Sequence, residues 1–221
     1  NIHYDRSKIL WGNIAVHELP QYTAEASNPG IGNLPRLYWG QKDPDYMASK
    51  YQHEIFTLGF PQDLYILAAP DSIWDKTRAP EGSHTILIED FTAPSRLFSP
   101  REWGRLKEEF VDLALEQWQN LAPNMTRDNL IADRIYTPYD VEMGHPDMIQ
   151  GGWSEGSMIA SQLGRFRPFP EISGYRTPLD SLYICSSNLH SAGGIGRGCR
   201  VNCYQIIADD LDLPKIKLKE D

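Results

Sequence analysis

The sequence is short of cysteine, and its three cysteines, Cys185, Cys199 and Cys203, fall in one short segment. An odd count among apolar neighbours excludes a disulfide framework and fits reduced thiols. No CxxC or HxxxH spacing accompanies them, so no zinc site, and no metal site of any kind, is expected. Cation excess is lacking too. Lys and Arg total 21 against 30 Asp and Glu, a net charge of −9. Sequence-independent nucleic-acid binding needs a cationic face, and that class is excluded. No apolar run approaches the roughly 20 residues of a membrane span. No charged-then-apolar leader pattern opens the sequence, and a cytoplasmic protein is expected. Internal repeats and low-complexity linkers are absent as well. A further absence concerns nucleotides: residues 1–180 contain no GxGxxG, and the glycines of "NPGIGNLP" (28–35) are flanked by proline and open no helix.

What is present is an ordinary globular composition, 41% hydrophobic and 23% charged over 221 residues. "KILWGNIAVHEL" (8–19) and "HTILIEDFTA" (84–93) alternate apolar and polar residues as half-buried strands do. "LYILAAP" (64–70), "LIADRIYTP" (130–138) and "LYIC" (182–185) are predicted as further strands. "DYMASKYQHEIFTLG" (45–59) predicts a helix ended by Gly59 and Pro61. The strongest helix lies in 99–121, with Ser99 as cap, Pro100 in the first turn and a stripe of Trp103, Leu106, Phe110, Leu113 and Trp118. Residues 20–46 and 139–181 read as irregular. A last helix is expected over about 196–210, with a solvated tail after it.

Between "LYIC" and that last helix stands "SSNLHSAGGIGRGCRVN" (186–202). Glycines before a helix let a ligand approach backbone N–H groups. "GIGRGC" (194–199) nearly spells GxGxxG, but Cys199 stands where the third glycine belongs. A helix takes most of the remaining residues, so no second parallel strand is expected. The segment is either a plain chain reversal or a strand–turn–helix that completes a site held elsewhere.

Three blocks resemble one family. "GYRTPLDSLYICSSNLHSAGGIGRGCRVN" (174–202) is similar to the C-terminal flavin-contacting segment of phytoene desaturase-like FAD oxidoreductases, a group that includes carotenoid desaturases, isomerases and ketolases, and retinol saturases. Thr177, Pro178, Leu182, Tyr183, Cys185 and His190 match, and so do Gly193, Gly194 and Asn202. "PDSIWDKTRAPEGSH" (70–84) resembles a second block through Ser72, Asp75, Ala79, Pro80, Gly82 and His84. "YTPYD" (136–140) resembles a third. The chain departs from the pattern at Ser186, Leu189, Ser191 and Ala192, and Arg197 and Arg200 add two cations.

The resemblance implies an α/β (α+β) chain. Residues 1–173 would form a substrate-binding domain and interface region with a mixed or antiparallel sheet and helices. Residues 174–211 would be the C-terminal strand–turn–helix of a Rossmann-like FAD domain, and 212–221 a polar tail. It implies FAD as cofactor and, since the N-terminal GxGxxG half is lacking, either a second polypeptide that supplies it in a hetero-oligomer or a fragment from which that half was cut away. Gly193, Gly194 and Ile195 would contact the flavin through backbone atoms, with Ser187, Asn188 and Asn202 beside them. Arg197 would either strengthen the positive field near the flavin or serve as a surface cation. His190 is either a catalytic acid or base at the substrate face or a structural histidine of the turn. Trp153, in "QGGWSEG", is the candidate for stacking on substrate or flavin. His84 is expected to be structural. His145, Asp147 and Glu155 have no spacing that demands a pocket. The activity implied is hydride removal from a largely apolar or aromatic organic substrate. The alternative is a non-catalytic partner that stabilises a flavoprotein.

Overall fold

Alternation along β1 (Lys8–Val16) places Leu10, Ile14 and Val16 inside and Trp11 outside. A strand with one apolar face must be covered on that face, and here the cover is a helix. The computed structural model describes all residues except 1, 41, 155, 187, 190–196 and 217–221, together with the backbone alone of Arg197. The chain divides into two compact units, one of Arg6–Gly151 and one of Asn1–Asp5 with Gly152–Asp221.

The first unit is built on five antiparallel strands in the order β2-β3-β4-β1-β5, where β2 is Leu37–Trp39, β3 Ile66–Ala69, β4 His84–Thr92 and β5 Leu130–Tyr136. All four pairings are antiparallel. One face packs on α2 (Pro100–Gln119), which buries Trp103, Leu106, Phe110, Val111, Ala114, Leu115 and Trp118. Leu113, expected in the same stripe, packs at its margin. Ser99 and Glu102 close a reciprocal capping box at the start of α2. The buried indoles keep partners: Trp103 Nε1 donates to the Ser95 carbonyl at 2.7 Å, and Trp118 Nε1 to the Tyr22 hydroxyl at 3.2 Å.

The expected helix over 45–59 is two things. α1 (Pro44–Lys50), capped by Asp43, runs into a π-helical segment, Tyr51–Leu58. Gly59 ends it in the left-handed region, φ 88°, where a Cβ would meet the Leu97 side chain. The stretches read as irregular hold short elements, β2 in the first and α3 (Pro138–Gly144) in the second.

In the second unit, α4 (Arg197–Asp210) is the one regular element of any length among the described residues. The strand expected at 182–185 is a correction: the run makes only an isolated bridge, Arg176 with Tyr183. Thr177 N–H donates to the Leu182 carbonyl and Ile184 N–H to the Tyr175 carbonyl, at 3.1 and 2.9 Å. Among the described residues no third strand flanks this pair, and a two-stranded ribbon by itself is marginally stable. Among the described residues, no helix is long and apolar enough to cross a membrane.

Candidate functional site

The matched block at 70–84 is a brace. Ser72 is buried, accepts from Thr85 N–H at 3.1 Å and lies 3.4 Å from His84 Nδ1, so it ties the 70–83 loop to the start of β4. His84 thus stands beside the Ser72 brace at the start of β4. Asp75 accepts from the Thr77 N–H and hydroxyl at 2.9 and 2.7 Å and caps a short turn. Gly82, at φ 78°, lets the loop turn into β4.

The "YTPYD" block is a helix start. Thr137, fully buried, caps α3, and Asp140 answers it at 2.7 Å through the Thr137 N–H. Lys107 from α2 donates to the other Asp140 oxygen at 2.8 Å. Burial works to raise the Asp140 carboxyl, and the bonds from Lys107 and Thr137 outweigh it, holding the group below its ordinary value. The block fixes where β5 ends and carries no evident chemistry of its own.

The matched block at 174–202 belongs to the second unit. Tyr175, Leu189, Cys199 and Cys203 form its small core, with Tyr183, Ile184, Ile206 and Ile207 packed against them. Asn202, in the second turn of α4, donates its side-chain amide to the Tyr175 hydroxyl at 3.0 Å. Tyr175 sits at φ 73°, an uncommon conformation for a tyrosine, and its backbone and hydroxyl are both engaged. Lower on the helix, Asp210 receives Arg176 through two bonds, 2.8 and 2.6 Å, and the Tyr183 hydroxyl at 2.9 Å. α4 is thereby pinned to 175–184 at both ends.

Of the expected cofactor residues, Asn202 and Asn188 are described. Asn188 donates its N–H to Ser186 Oγ at 3.0 Å. Ser187, Gly193, Gly194, Ile195 and His190 lie outside the described residues, as does the Arg197 side chain. The first N–H groups of α4 have no acceptor within the helix, which is the property an electron-rich ring edge would use. Trp153 is 54% exposed at the surface of its unit. His145 and Asp147 are exposed on the other unit, and Glu155 lies outside the described residues. Among the described residues, no group of three or more His, Cys, Asp or Glu is placed to hold a metal ion.

Two features of the first unit were not singled out from the sequence. The sheet face opposite α2 carries a cross-strand row, Tyr38–Leu67–Glu89–Trp11–Tyr136. Trp11 stacks on Tyr136 at 4.9 Å, and Tyr38 on Tyr65 at 5.8 Å. Burial raises the Glu89 carboxyl, with Arg36 opposing. On the inward face lies a buried charge cluster. Lys50 Nζ is 3.7 Å from Asp90 and 3.9 Å from Glu54, and it also bonds the Asp63 carbonyl. Asp90 accepts from Tyr65 and Phe91 N–H, and Glu54 from Gln62 and Asp63 N–H. Burial pushes the Asp90 carboxyl up to about 7, against Lys50 and the two backbone donors. The signal was there: Asp90 continues the inward series Ile86, Ile88, and Lys50 and Glu54 are one helical turn apart.

The chain matches no protein-family model. It is similar to pyridine nucleotide-disulfide oxidoreductase domain-containing protein 2 of Rattus norvegicus, 29% identical over 206 residues, which covers 90% of this chain and 35% of the relative. The Mus musculus protein of the same name is 28% identical over the same lengths. One of the subunits of the limonene dehydrogenase of Castellaniella defragrans is 22% identical over 227 residues, 96% of this chain and 39% of the relative. The chain spans little more than a third of the length of these relatives. It is related along most of its own length to chains named as oxidoreductases.

Proposed function

We propose that this chain is the substrate-domain and flavin-closing part of an FAD-dependent oxidoreductase of the phytoene desaturase-like kind, whose strand–GxGxxG–helix, the grip on the FAD pyrophosphate, lies outside these 221 residues. The observation that carries this reading is the similarity to oxidoreductase chains over 90% or more of the sequence. The architecture is in keeping with it. Among the described residues the sheet is wholly antiparallel, without the parallel strand–helix–strand crossover that holds a dinucleotide. The family-matched end of the chain supplies a helix start and Asn202 instead.

FAD, when bound, accepts the hydride; the work of this chain is to position and to exclude water. The N–H groups at the start of α4, with Gly193, Gly194 and Ile195 before them, favour negative charge on the flavin pyrimidine edge. Asn188 and Asn202 would lie beside that edge, and Ser187 and Arg197 would complete the contact set. His190 takes or gives a proton on the substrate side. Trp153 offers flat apolar surface to a largely apolar or aromatic organic substrate.

The test is to purify the protein with whatever it assembles with and to read the flavin absorption and the polypeptides present. A yellow protein, bleached when Gly193 and Gly194 are both replaced by valine, is expected. A flavin held undisturbed by that double variant, with turnover intact, would leave this chain a non-catalytic partner.

A further inference from the structure

The sheet face turned away from α2 carries an acid among aromatic rings. Along the row Tyr38–Leu67–Glu89–Trp11–Tyr136 the residues stand opposite one another on neighbouring strands, so the five side chains leave the same face. Two stacked aromatic pairs flank the middle of the row. Trp11 lies on Tyr136 with the ring planes 20° apart, and Tyr38 on Tyr65 with the planes 18° apart. Trp11 is 37% and Tyr38 50% exposed, whereas Leu67 between them is 6% exposed. Glu89, half-buried, stands beside Leu67. Among the described residues, no hydrogen bond or ion pair reaches its carboxyl. Burial raises that carboxyl, and Arg36 opposes the shift through space.

One end of the row already takes a planar cation. The Arg134 guanidinium lies over the Tyr136 ring, 5.2 Å from its centre. Among the described residues, no cation lies over Trp11 or Tyr38. We propose that the middle of this row binds a flat aromatic cation, a small molecule whose protonated amine or amidine meets Glu89 and whose fused rings lie against Trp11 and Tyr38. Charge selects this occupant. A half-buried carboxyl without an ion pair is costly, and a cation brought by the ligand relieves that cost. Size agrees: Trp11 and Tyr38 are three strand spacings apart, about 14 Å between backbones, and the gap between their side chains suits a bicyclic or tricyclic ring system. A second copy of the chain centred on the row would instead set two Glu89 carboxyls face to face. The inference rests on the first unit alone and is independent of the flavin reading.

The full-length protein, in its native assembly, is titrated by calorimetry with aminoacridine, a planar tricyclic cation. A second titration uses anthracene carboxylate, of similar shape and opposite charge. Saturable binding of aminoacridine is expected, with an affinity about tenfold or more above that of the carboxylate. Glu89→Gln is expected to weaken the cation about tenfold, the loss of one charge contact, and not to weaken the anion. Trp11→Ala is expected to weaken the cation as well. No saturable binding, equal affinity for the two probes, or cation binding unmoved by Glu89→Gln would each overturn the proposal. So would sedimentation of the wild type as a dimer that Trp11→Ala splits, which would give the face to a second copy. The comparison of the two probes on wild type decides the matter even where a variant fails to fold.

Discussion

Asn202 and Tyr175 hold each other across the second unit, amide to hydroxyl, at 3.0 Å. The Asn is the last family-matched residue of the chain, and its side chain is partly committed to packing α4 against 175–184. Burial raises the Tyr175 hydroxyl and the Asn202 bond opposes that shift, so the bond matters to the charged form as well.

Two roles for Asn202 separate in a double-mutant cycle. Tyr175→Phe and Asn202→Ala each remove the bond and are expected to cost about 1 kcal/mol, with a coupling of similar size. Urea midpoints give the stability arm. Flavin content gives the other arm: Asn202→Ala lowers it and Tyr175→Phe does not. Equal flavin content in both variants would confine Asn202 to packing.

Gly194→Val places a Cβ in the backbone stretch assigned to the flavin. Weaker flavin retention and slower reduction of the flavin retained are expected, on the order of tenfold for the loss of one close backbone contact worth about 1.4 kcal/mol. Absorbance after gel filtration and stopped-flow reduction measure the two effects.

Lys50→Met strips the cation from a cluster whose Lys50 and Asp90 side chains are 3% and 1% exposed. Two buried carboxylates are left facing each other without it. A loss of about 3–5 kcal/mol is expected, the range seen when one partner of a buried pair is removed. Adding Asp90→Asn to Lys50→Met should recover part of it. A single variant as stable as wild type by urea denaturation would refute the coupling.

Asp90 also sets a pH dependence. Its carboxyl is raised from an ordinary 3.8 to about 7, so the folded state holds the proton more tightly than the unfolded chain. Its contribution to stability is full below about 3.8 and is lost as pH rises through about 7. The difference in urea midpoint between wild type and Asp90→Asn should shift against wild type across that window. A difference that stays flat there would show that Asp90 titrates as a free carboxylate.

Thr137→Ala removes one arm of the α3 capping box, and the hydroxyl is fully buried. About 1 kcal/mol of destabilisation is expected, with Asp140 left less well held beside Lys107. Thermal unfolding checks it, and Thr137→Ser, which keeps the hydroxyl, should recover most of the loss.

The elements that advertise themselves locally were legible. β1 and β4 alternate, and α2 carries its own cap and stripe, so each is specified by residues close in sequence. "LYIC" has the same local character and is not a strand among these residues, since strand identity depends on neighbours that local composition does not contain. The buried cluster was half visible: Asp90 sat on an apolar face, but its partner Lys50 lies on another element, and no spacing links the two. The matched motif blocks were found in order, and two of them, around Ser72 and Thr137, proved to be braces and caps.

The place of β1 has a consequence for the newborn chain. β1 lies between β4 and β5, so one of its edges waits for residues 84–92 and the other for residues 130–136. At about 5–20 residues per second on the ribosome, it spends seconds with both edges bare. Its "KILWGNIAV" is apolar and β-prone, the type of segment that sticks to other chains while it waits. A wait for both partners of the central strand is therefore built into the strand order.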